Sequence, residues 1–388
     1  MSTTTALKST IHDTESGPAP FVVSAAQGSA RRGQIRTLHG SFDTPAFMPV
    51  ATQGSVKGLT PAQLVDIGVQ IVLSNVYHLS LRPGIEVIEA LGGLHRFLGW
   101  SGPILTDSGG YQVYSLAPLR KVTDDGVLFR SHIDGREYRF TPEDVIRHQI
   151  ALGVDIAMVL DECPPGGAPR EVVAEATRRS LAWAKRSLGV TMLPGQLLFG
   201  IVQGGIFPEL RASHAADLVA LDFPGYAVGG LSVGEERGVT LDVAAATIEH
   251  LPPDRPRYLM GVGYPEDLVR FVGMGYDMFD CVLPTRNGRN GLLFTSQGRL
   301  NIRLARFQRD PQPVDPLCAC YTCCHFTRAY LRHLSLANEM LAGVLASLHN
   351  VYFYQRLMRD MRAAIAAQSF EVWARATIER LEQGEVAE

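Results

Sequence analysis

The sequence is poor in the features that mark secreted and membrane-bound proteins. Only six of its 388 residues are cysteines, and four of these fall between Cys318 and Cys324. This spacing is not that of a disulfide framework, and it suits a reducing cytoplasm. No uninterrupted apolar run approaches the roughly 18 residues of a membrane span. Residues 1–20 lack a basic segment followed by an apolar one, so we interpret them as a flexible leader and not as a signal peptide.

Basic and acidic residues nearly balance, and the net charge of −3 does not by itself indicate a nucleic-acid partner. Their distribution is uneven, however. Between residues 281 and 380 the chain has thirteen arginines, no lysine and six acidic residues, a balance of +7. A basic C-terminal third on an acidic body predicts an anionic partner that is met on one face. Charge alone is equally consistent with a set of solvated helix faces.

Short apolar runs alternate with amphipathic stretches from residue 60 to residue 279. Two of these stretches begin with a helix start signal, in which Thr60 or Thr141 is the N-cap and a proline follows. This alternation implies an α/β fold with a parallel sheet, either a closed (β/α)8 TIM barrel or an open doubly wound sheet. We favour the barrel, because no glycine-rich dinucleotide fingerprint follows the early strands. The apolar runs lie at 71–74, 104–106, 156–160, 198–202, 226–228, 258–260 and 278–279.

A C-x-C-x2-C run places three thiols within one tight turn, and a later histidine can complete a tetrahedral zinc site. Four protein ligands leave no open position, so the predicted zinc is structural. Cys324 and His325 adjoin the run and stay possible as substitute ligands, and a cluster of inert buried thiols is the other alternative. The predicted ligands are Cys318, Cys320, Cys323 and His349.

The segment that carries these ligands interrupts the strand-helix alternation. We expect it to form a zinc-binding insertion over about 303–349, near the C-terminal end of the barrel, followed by helical sequence from about Asn350. Residues 21–388 then form a single TIM-barrel domain that includes the insertion and the C-terminal helices.

Polar motifs follow directly after the apolar runs, at the carboxyl ends of the predicted strands, where barrel active sites gather. Three of these motifs contribute an aspartate: Asp107, Asp161 and Asp280. A single aspartate there is more often the N-cap of the next helix, but three on one rim beside paired glycines indicate a site. The glycines let a flat ligand approach the backbone closely. Paired carboxylates suit chemistry at a sugar C1′, where one attacks and another transfers protons.

Several long motifs in a fixed order resemble those of one family. The motifs are TDSGGYQ from Thr106, LDEC from Leu160, GIVQGG from Gly200, YAVGGLSVGE from Tyr226, YLMGVG from Tyr258 and MFDCVLPTRNGRNG from Met278. With the cysteine-histidine cluster, they make the chain resemble bacterial tRNA-guanine transglycosylase from about Phe21 to the C-terminal helices.

The resemblance implies a TIM barrel with one structural Zn²⁺, and it implies a reaction. Guanine at the anticodon wobble position, position 34, is exchanged for the queuosine precursor preQ1 in tRNAs with a GUN anticodon. These are the tRNAs for aspartate, asparagine, histidine and tyrosine. The resemblance also implies a homodimer, and with the reducing compartment inferred above we expect a cytoplasmic enzyme.

The resemblance also implies a role for each site residue. Asp280 is similar to the family's covalent nucleophile, and Asp107 to its general acid/base. Val233 should crowd the larger base queuine, which eukaryotic members of the family take, and so implies preQ1. The residues implied to bind the base are Asp161, Cys163, Gln203, Gly230, Leu231 and Val233, with Tyr111 and Met260 sandwiching its ring, and those implied to contact the RNA are Arg286 and Arg289. Without the resemblance, the tyrosine and methionine would be interpreted as core residues. The two arginines have surface charge as their alternative, but a Gly/Asn-rich loop after the proposed nucleophile suits phosphate contacts.

Two other functions are open from the residues alone. A retaining glycoside hydrolase also uses two carboxylates in a barrel, but it needs a sugar cleft lined with tryptophan, and the chain has only three. None of the three lies within the motifs above. A catalytically silent RNA-binding subunit should lack the nucleophile or the acid/base, and both Asp280 and Asp107 are present.

Overall fold

The computed structural model of the chain describes residues 20–116 and 120–384. The expected leader therefore lies outside the described residues except for Pro20. The strands are β1 (Phe21–Gln27), β2 (Ala30–Thr37), β3 (Gly40–Thr44), β4 (Ala46–Ala51), β5 (Val72–Asn75), β6 (Ile104–Asp107), β7 (Arg120–Thr123), β8 (Gly126–Arg130), β9 (Glu137–Phe140), β10 (Ile156–Met158), β11 (Leu197–Val202), β12 (Gly225–Val228), β13 (Arg257–Leu259), β14 (Met278–Cys281), β15 (Leu292–Thr295) and β16 (Gly298–Asn301).

Helices follow most barrel strands, and further helices follow the last antiparallel sheet. They are α1 (Pro61–Asp66), α2 (Val76–Leu81), α3 (Ile85–Ala90), α4 (Gly93–Leu98), α5 (Gly110–Leu116), α6 (Pro142–Leu152), α7 (Arg170–Leu188), α8 (Pro208–Val219), α9 (Arg237–Ile248), α10 (Pro265–Met274), α11 (Leu283–Arg289), α12 (Tyr321–His325), α13 (Arg328–Leu336), α14 (Met340–Ala366) and α15 (Phe370–Gln383). Among the described residues, no helix combines the length and the apolar character that crossing a membrane requires.

Eight parallel strands form a closed barrel, which confirms the predicted fold class. Their order is β4, β5, β6, β10, β11, β12, β13 and β14, and β14 pairs with β4 to close the ring. Most of these strand residues are buried, as in parallel sheets covered on both faces. Separate antiparallel sheets are formed by β1–β3, β7–β9 and β15–β16.

The first barrel strand was not among the predicted runs. β4 is apolar but contains Pro49, and a proline has no N–H for a strand ladder, which argues against a central strand. The structure tolerates it because the register on the β14 side ends at the Cys281–Pro49 pair, while the register on the β5 side begins at Val50. The predicted helix starts are confirmed, since Thr60 and Thr141 cap α1 and α6 through their side chains.

Buried ion pairs and hydrogen bonds hold the amino-terminal ends of the strands. Arg31 of β2 pairs with Asp277 just before β14, at 2.5 Å. Asp155, just before β10, accepts hydrogen bonds from the His39 and His95 rings, each at 3.0 Å, and these two rings stack at 3.6 Å. These contacts lie at the end of the barrel opposite to the strand-end motifs.

The long helix α14 was expected to begin near Asn350, but it begins at Met340. His349 therefore lies inside a helix. The expectation was wrong because a helix can present one ligand side chain without interruption, so a ligand histidine does not mark the end of an irregular segment. Asn350 ties α14 to its neighbours, because its amide donates to Pro284 O of α11 at 2.9 Å and accepts from Phe294 N of β15 at 3.0 Å.

Candidate active site

A cavity of about 440 Å³ opens at the carboxyl ends of the barrel strands. Asp107 is the last residue of β6, Asp280 lies in β14, and Asp161 follows β10, so the fold brings the three predicted carboxylates into one cavity. Eleven of the predicted site residues line it: Asp107, Tyr111, Asp161, Cys163, Gln203, Gly230, Leu231, Val233, Met260, Asp280 and Arg286.

Asp107 is a buried carboxylate held by neutral donors. Its Oδ2 accepts hydrogen bonds from the Asn75 amide at 2.5 Å and the Gln112 amide at 2.8 Å, and its Oδ1 accepts from Val76 N at 3.3 Å. Burial raises the pKa of Asp107 to about 7, the hydrogen bonds oppose the rise, and the charge of Asp280 adds to it. A carboxyl group with this pKa can hold or release a proton near neutral pH.

Asp280 has one bonded and one open oxygen. Both of its described hydrogen bonds, from the Tyr258 hydroxyl at 2.6 Å and Gly261 N at 2.8 Å, go to Oδ1. Within the described residues, Oδ2 accepts no hydrogen bond, so its lone pairs are available to an incoming atom. Burial raises the pKa of Asp280, and the two hydrogen bonds lower it.

Asp161 forms a polar edge together with Gln203 and the backbone at Gly230. The Gln203 amide donates to Asp161 Oδ2 at 2.7 Å, and Ser108 donates to Oδ1 at 3.2 Å. Gln203 Oε1 is buried without a partner in the described structure. A Cβ at Gly230 would lie 2.3 Å from this Oε1, and one at Gly110 would lie 2.5 Å from Asp161 O, so both positions need glycine for close packing.

The loop after β12 closes one side of the cavity. Glu235 accepts a hydrogen bond from Val233 N at 3.0 Å and another from the Thr240 hydroxyl at 2.7 Å, which fixes the loop in place. Val233 is half-buried and faces both the cavity and the neighbouring loop. Burial raises the pKa of Cys163 to about 12, so its thiol is neutral and serves as a wall of the cavity, not as a nucleophile.

The two predicted RNA-contacting arginines are exposed in the last turn of α11. Arg286 lines the cavity described above, whereas Arg289 lines an adjoining groove of about 430 Å³ between α11 and the start of α14. The structure therefore places them on one helix but at two different depressions. Basic residues at a helix C-terminus also interact favourably with the helix dipole.

The four predicted metal ligands meet in one buried cluster. His349 Nδ1 lies 3.7, 3.4 and 3.3 Å from the Sγ atoms of Cys318, Cys320 and Cys323. Ligands of a tetrahedral zinc with Zn–S near 2.3 Å and Zn–N near 2.0 Å stand roughly 3.5 Å apart, so the cluster fits the ion.

The surroundings of the cluster also fit a metal. His349 Nε2 lies 2.8 Å from Phe294 O, which leaves Nδ1 free to ligate. Cys324 is exposed, and neither it nor His325 belongs to the cluster of possible ligands. The substitute ligands that the spacing left open are thereby set aside.

Three residues that support the site were missed as functional from the sequence. Asn75 and Gln112 hold Asp107, and Tyr258 holds Asp280. Asn75 ends a strand in the same way as Asp107, so the strand-end rule could have found it. Gln112 stood inside a recognised motif without an assigned role. Tyr258 opens the recognised motif YLMGVG without an assigned role. It is fully buried, and apart from that motif it is indistinguishable by pattern from a core residue.

The chain is similar to known proteins over most of its length. A family model described as queuine tRNA-ribosyltransferase matches residues 26–383. A queuine tRNA-ribosyltransferase of Solidesulfovibrio magneticus is 52% identical over 366 residues, which cover 94% of this chain and 98% of the relative. Proteins of the same name from Pelotomaculum thermopropionicum and Nitrosomonas eutropha are 55% and 54% identical, and the matches cover 87% and 89% of this chain and 91% and 96% of the relatives.

Proposed function

The chain belongs to the queuine tRNA-ribosyltransferase family and is thus a pentosyltransferase, and from this premise we propose that it exchanges guanine at wobble position 34 of GUN-anticodon tRNAs for preQ1 through a covalent Asp280–ribose intermediate. The observation that carries the proposal is the single cavity that holds three carboxylates in three different environments. Asp161 belongs to the polar edge that it forms with Gln203 and Gly230, which we call the base-reading edge. Asp107 has a pKa near neutral, and Asp280 keeps one oxygen without a hydrogen bond within the described residues.

Asp161 serves as the recognition carboxylate. Guanine presents N1–H and an amino group side by side, and a carboxylate accepts both. Its O6 lies next to N1 and needs a donor, which a backbone N–H at Gly230 can supply. Gln203 donates to Asp161 in the free protein at 2.7 Å and so fixes the carboxylate before the base arrives. Tyr111 and Met260 line the same cavity and are the flat or soft side chains available to cover the ring.

Asp280 serves as the nucleophile through Oδ2. In the first step the bond from Oδ2 to ribose C1′ forms, the bond from C1′ to N9 of guanine breaks, and the electron pair leaves with the base. Asp107 in its neutral form donates a proton to the departing base. In the second step N9 of preQ1 attacks C1′, Asp107 takes the N9 proton, and Asp280 leaves as a carboxylate. Each displacement inverts the configuration at C1′, so the two steps together retain it.

Asp107 serves as the proton-transfer residue because its pKa of about 7 lets both protonation states be populated at neutral pH. Arg286 and Arg289 serve as phosphate contacts on the anticodon loop, supported by the +7 balance of residues 281–380. Val233 and Cys163 limit the room beside the base and favour the small aminomethyl group of preQ1 over queuine.

Zinc serves as a structural ion at Cys318, Cys320, Cys323 and His349. When bound, it joins the turn before α12 to α14. The helix α14 in turn holds α11 through Asn350, whose amide bonds to Pro284 O at 2.9 Å. The metal site therefore supports the helix that carries the proposed RNA contacts, and it takes no part in the exchange itself.

A homodimer and a cytoplasmic location belong to the same proposal. Large apolar side chains are exposed on α13 and at the start of α14, among them Tyr330, Leu336, Met340 and Leu341, and such a group suits a protein contact. Sedimentation equilibrium of the purified protein measures the oligomer. The location follows from the tRNA substrate.

Exchange of radiolabelled guanine into unmodified tRNA tests the proposed reaction directly, and absence of exchange by the wild type would refute it. The covalent step is tested by trapping an enzyme-RNA adduct that survives denaturation. Asp280→Asn should lose the adduct while keeping its fold, whereas Asp107→Asn should slow exchange by roughly 10²–10⁴-fold. An adduct formed in full yield by Asp280→Asn would rule out Asp280 as the nucleophile. The glycoside hydrolase alternative gains no support, because none of the three tryptophans, Trp100, Trp183 and Trp373, lines the cavity.

A further inference from the structure

Arg211 of α8 is a fully buried arginine directly behind the base-reading edge. The hydrogen bonds that its guanidinium donates within the described residues all go to backbone carbonyls. Nε donates to Gly205 O at 2.6 Å, and Nη2 donates to Gly229 O at 2.9 Å and to Gly230 O at 3.3 Å. Burial lowers the pKa of Arg211 only to about 10, so the side chain is charged at neutral pH. A buried cation that bonds only to carbonyls fixes the backbone that it contacts.

The hydrogen bond to Gly229 O determines where the next amide points. Among the described residues the only cis peptides precede Pro45 and Pro83, so the peptide between Gly229 and Gly230 is trans. In a trans peptide the C=O and the N–H point in opposite directions. Because Arg211 holds the C=O on its own side, the Gly230 N–H points away from it. That N–H has no hydrogen-bond partner within the described structure, and Gly230 lines the active-site cavity.

The packing leaves these groups little freedom to move. A Cβ at Gly204 would lie 2.6 Å from Arg211 Cγ, so the loop after β11 lies directly on the arginine stem. A Cβ at Gly229 or Gly230 would lie 2.9 or 2.3 Å from the amide of Gln203. Arg211 thereby bonds at once to the loop after β11, which follows Gln203, and to the loop that carries Gly230.

We propose that Arg211 is a positioning residue for base recognition: it holds the Gly229–Gly230 peptide so that the Gly230 N–H is presented to the oxo group of the purine. This inference rests on the proposed guanine exchange. The charge on Arg211 also polarises the peptide that it binds, which strengthens the N–H donor. Part of the negative charge that guanine carries as it leaves is delocalised from N9 onto the oxo group, so a contact there should matter for specificity as well as for binding.

The test compares guanine with 2,6-diaminopurine, in which an amino group replaces the oxo group. The wild type should bind guanine better, since an amino group opposite the Gly230 N–H leaves two donors facing each other and the N1 of 2,6-diaminopurine has no hydrogen to donate to Asp161. The loss at Asp161 is common to the wild type and the Arg211 variants, so the change in preference between them reports the Gly230 contact. Arg211→Met keeps the length of the stem but removes the guanidinium. It should raise the KM for guanine about tenfold or more. The preference for guanine, measured as the ratio of the Ki of 2,6-diaminopurine to the KM of guanine, should fall by a similar factor. The KM for tRNA should change little.

Arg211→Lys keeps a charge that cannot reach both loops, and it should restore only part of the preference. Arg362→Met is the matched control, because Arg362 also donates from a partly buried site to a backbone carbonyl, Pro45 O at 2.7 Å, at the opposite end of the barrel. It should leave the base preference unchanged.

A preference unchanged in both Arg211 variants would overturn the inference, as would failure of both to fold, since Arg211 would then act in stability alone. In either case guanine exchange by the wild type leaves the proposed function intact. A wild type that exchanges no guanine would refute both the proposed function and this inference.

Discussion

Replacing Gln112 by methionine should raise the pKa of Asp107 and move the pH profile of the enzyme. The Gln112 amide donates to Asp107 Oδ2 at 2.8 Å. A donor stabilises the charged carboxylate and so lowers its pKa, and removing that donor must raise it. Methionine has nearly the same length as glutamine and has no N–H to donate, so the substitution removes the hydrogen bond while filling the space.

The size of the shift follows from the strength of the hydrogen bond. A hydrogen bond to a charged group contributes about 1.5–3 kcal/mol, and Gln112 is half-buried, so the lower value applies. With about 1.4 kcal/mol for each pH unit, the pKa of Asp107 should rise from about 7 by about one unit. Asn75→Leu should shift it further, because Asn75 is buried and its hydrogen bond is 2.5 Å long.

The pH dependence of kcat/KM for guanine exchange reports the ionisations of the free enzyme and is the measurement of choice. Gln196→Met is the matched control. Gln196 is buried, and its amide donates to Val154 O at 2.8 Å near the amino ends of the strands. The limb of the pH profile that reports Asp107 should move to higher pH in Gln112→Met. The assignment of the near-neutral pKa to Asp107 would be refuted if that limb stayed in place or moved to lower pH in Gln112→Met, or if it moved equally in Gln196→Met.

Four further predictions concern other parts of the molecule. Cys320→Ala should reduce zinc from about one per chain to near zero and weaken tRNA binding; unchanged metal content by elemental analysis would contradict it. Hydrogen bonds to the buried Asp155 lower its pKa to about 2 against the opposing effect of burial. Asp155→Asn should therefore lower the free energy of unfolding by about 2 kcal/mol at neutral pH, and this loss should shrink as the pH falls from about 4 to about 2. Urea unfolding that shows the same loss of free energy at every pH would exclude the Asp155 charge as its cause. Arg286→Ala should reduce the slope of log affinity for tRNA against log salt by about one, and an unchanged slope would place the phosphate elsewhere. Val233→Gly should improve the use of queuine by about one to two orders of magnitude with little loss of guanine exchange; equal use of queuine and preQ1 by the wild type would disprove the steric argument.

The strand-end aspartates show how far the sequence alone could lead. Short apolar runs followed by polar motifs predict buried parallel strands with functional residues at their carboxyl ends, because both properties depend on local pattern. Asp107, Asp161 and Asp280 were found in this way. The four residues of the buried cysteine-histidine cluster were predicted by spacing, since thiols within one turn need few assumptions about the rest of the fold.

Tertiary structure decided what each of these residues experiences. Asp107 and Asp280 both end apolar runs, yet one oxygen of Asp280 stays open while both oxygens of Asp107 accept hydrogen bonds. Partners such as Asn75 and Tyr258 come from other strands of the barrel. The place of β4 in the ring, the helical position of His349 and the carbonyls held by Arg211 likewise depend on contacts between segments distant in sequence. Local pattern fixes which residues are buried or lie at strand ends, but a pKa or the direction of an amide depends on neighbours that only the closed barrel brings together.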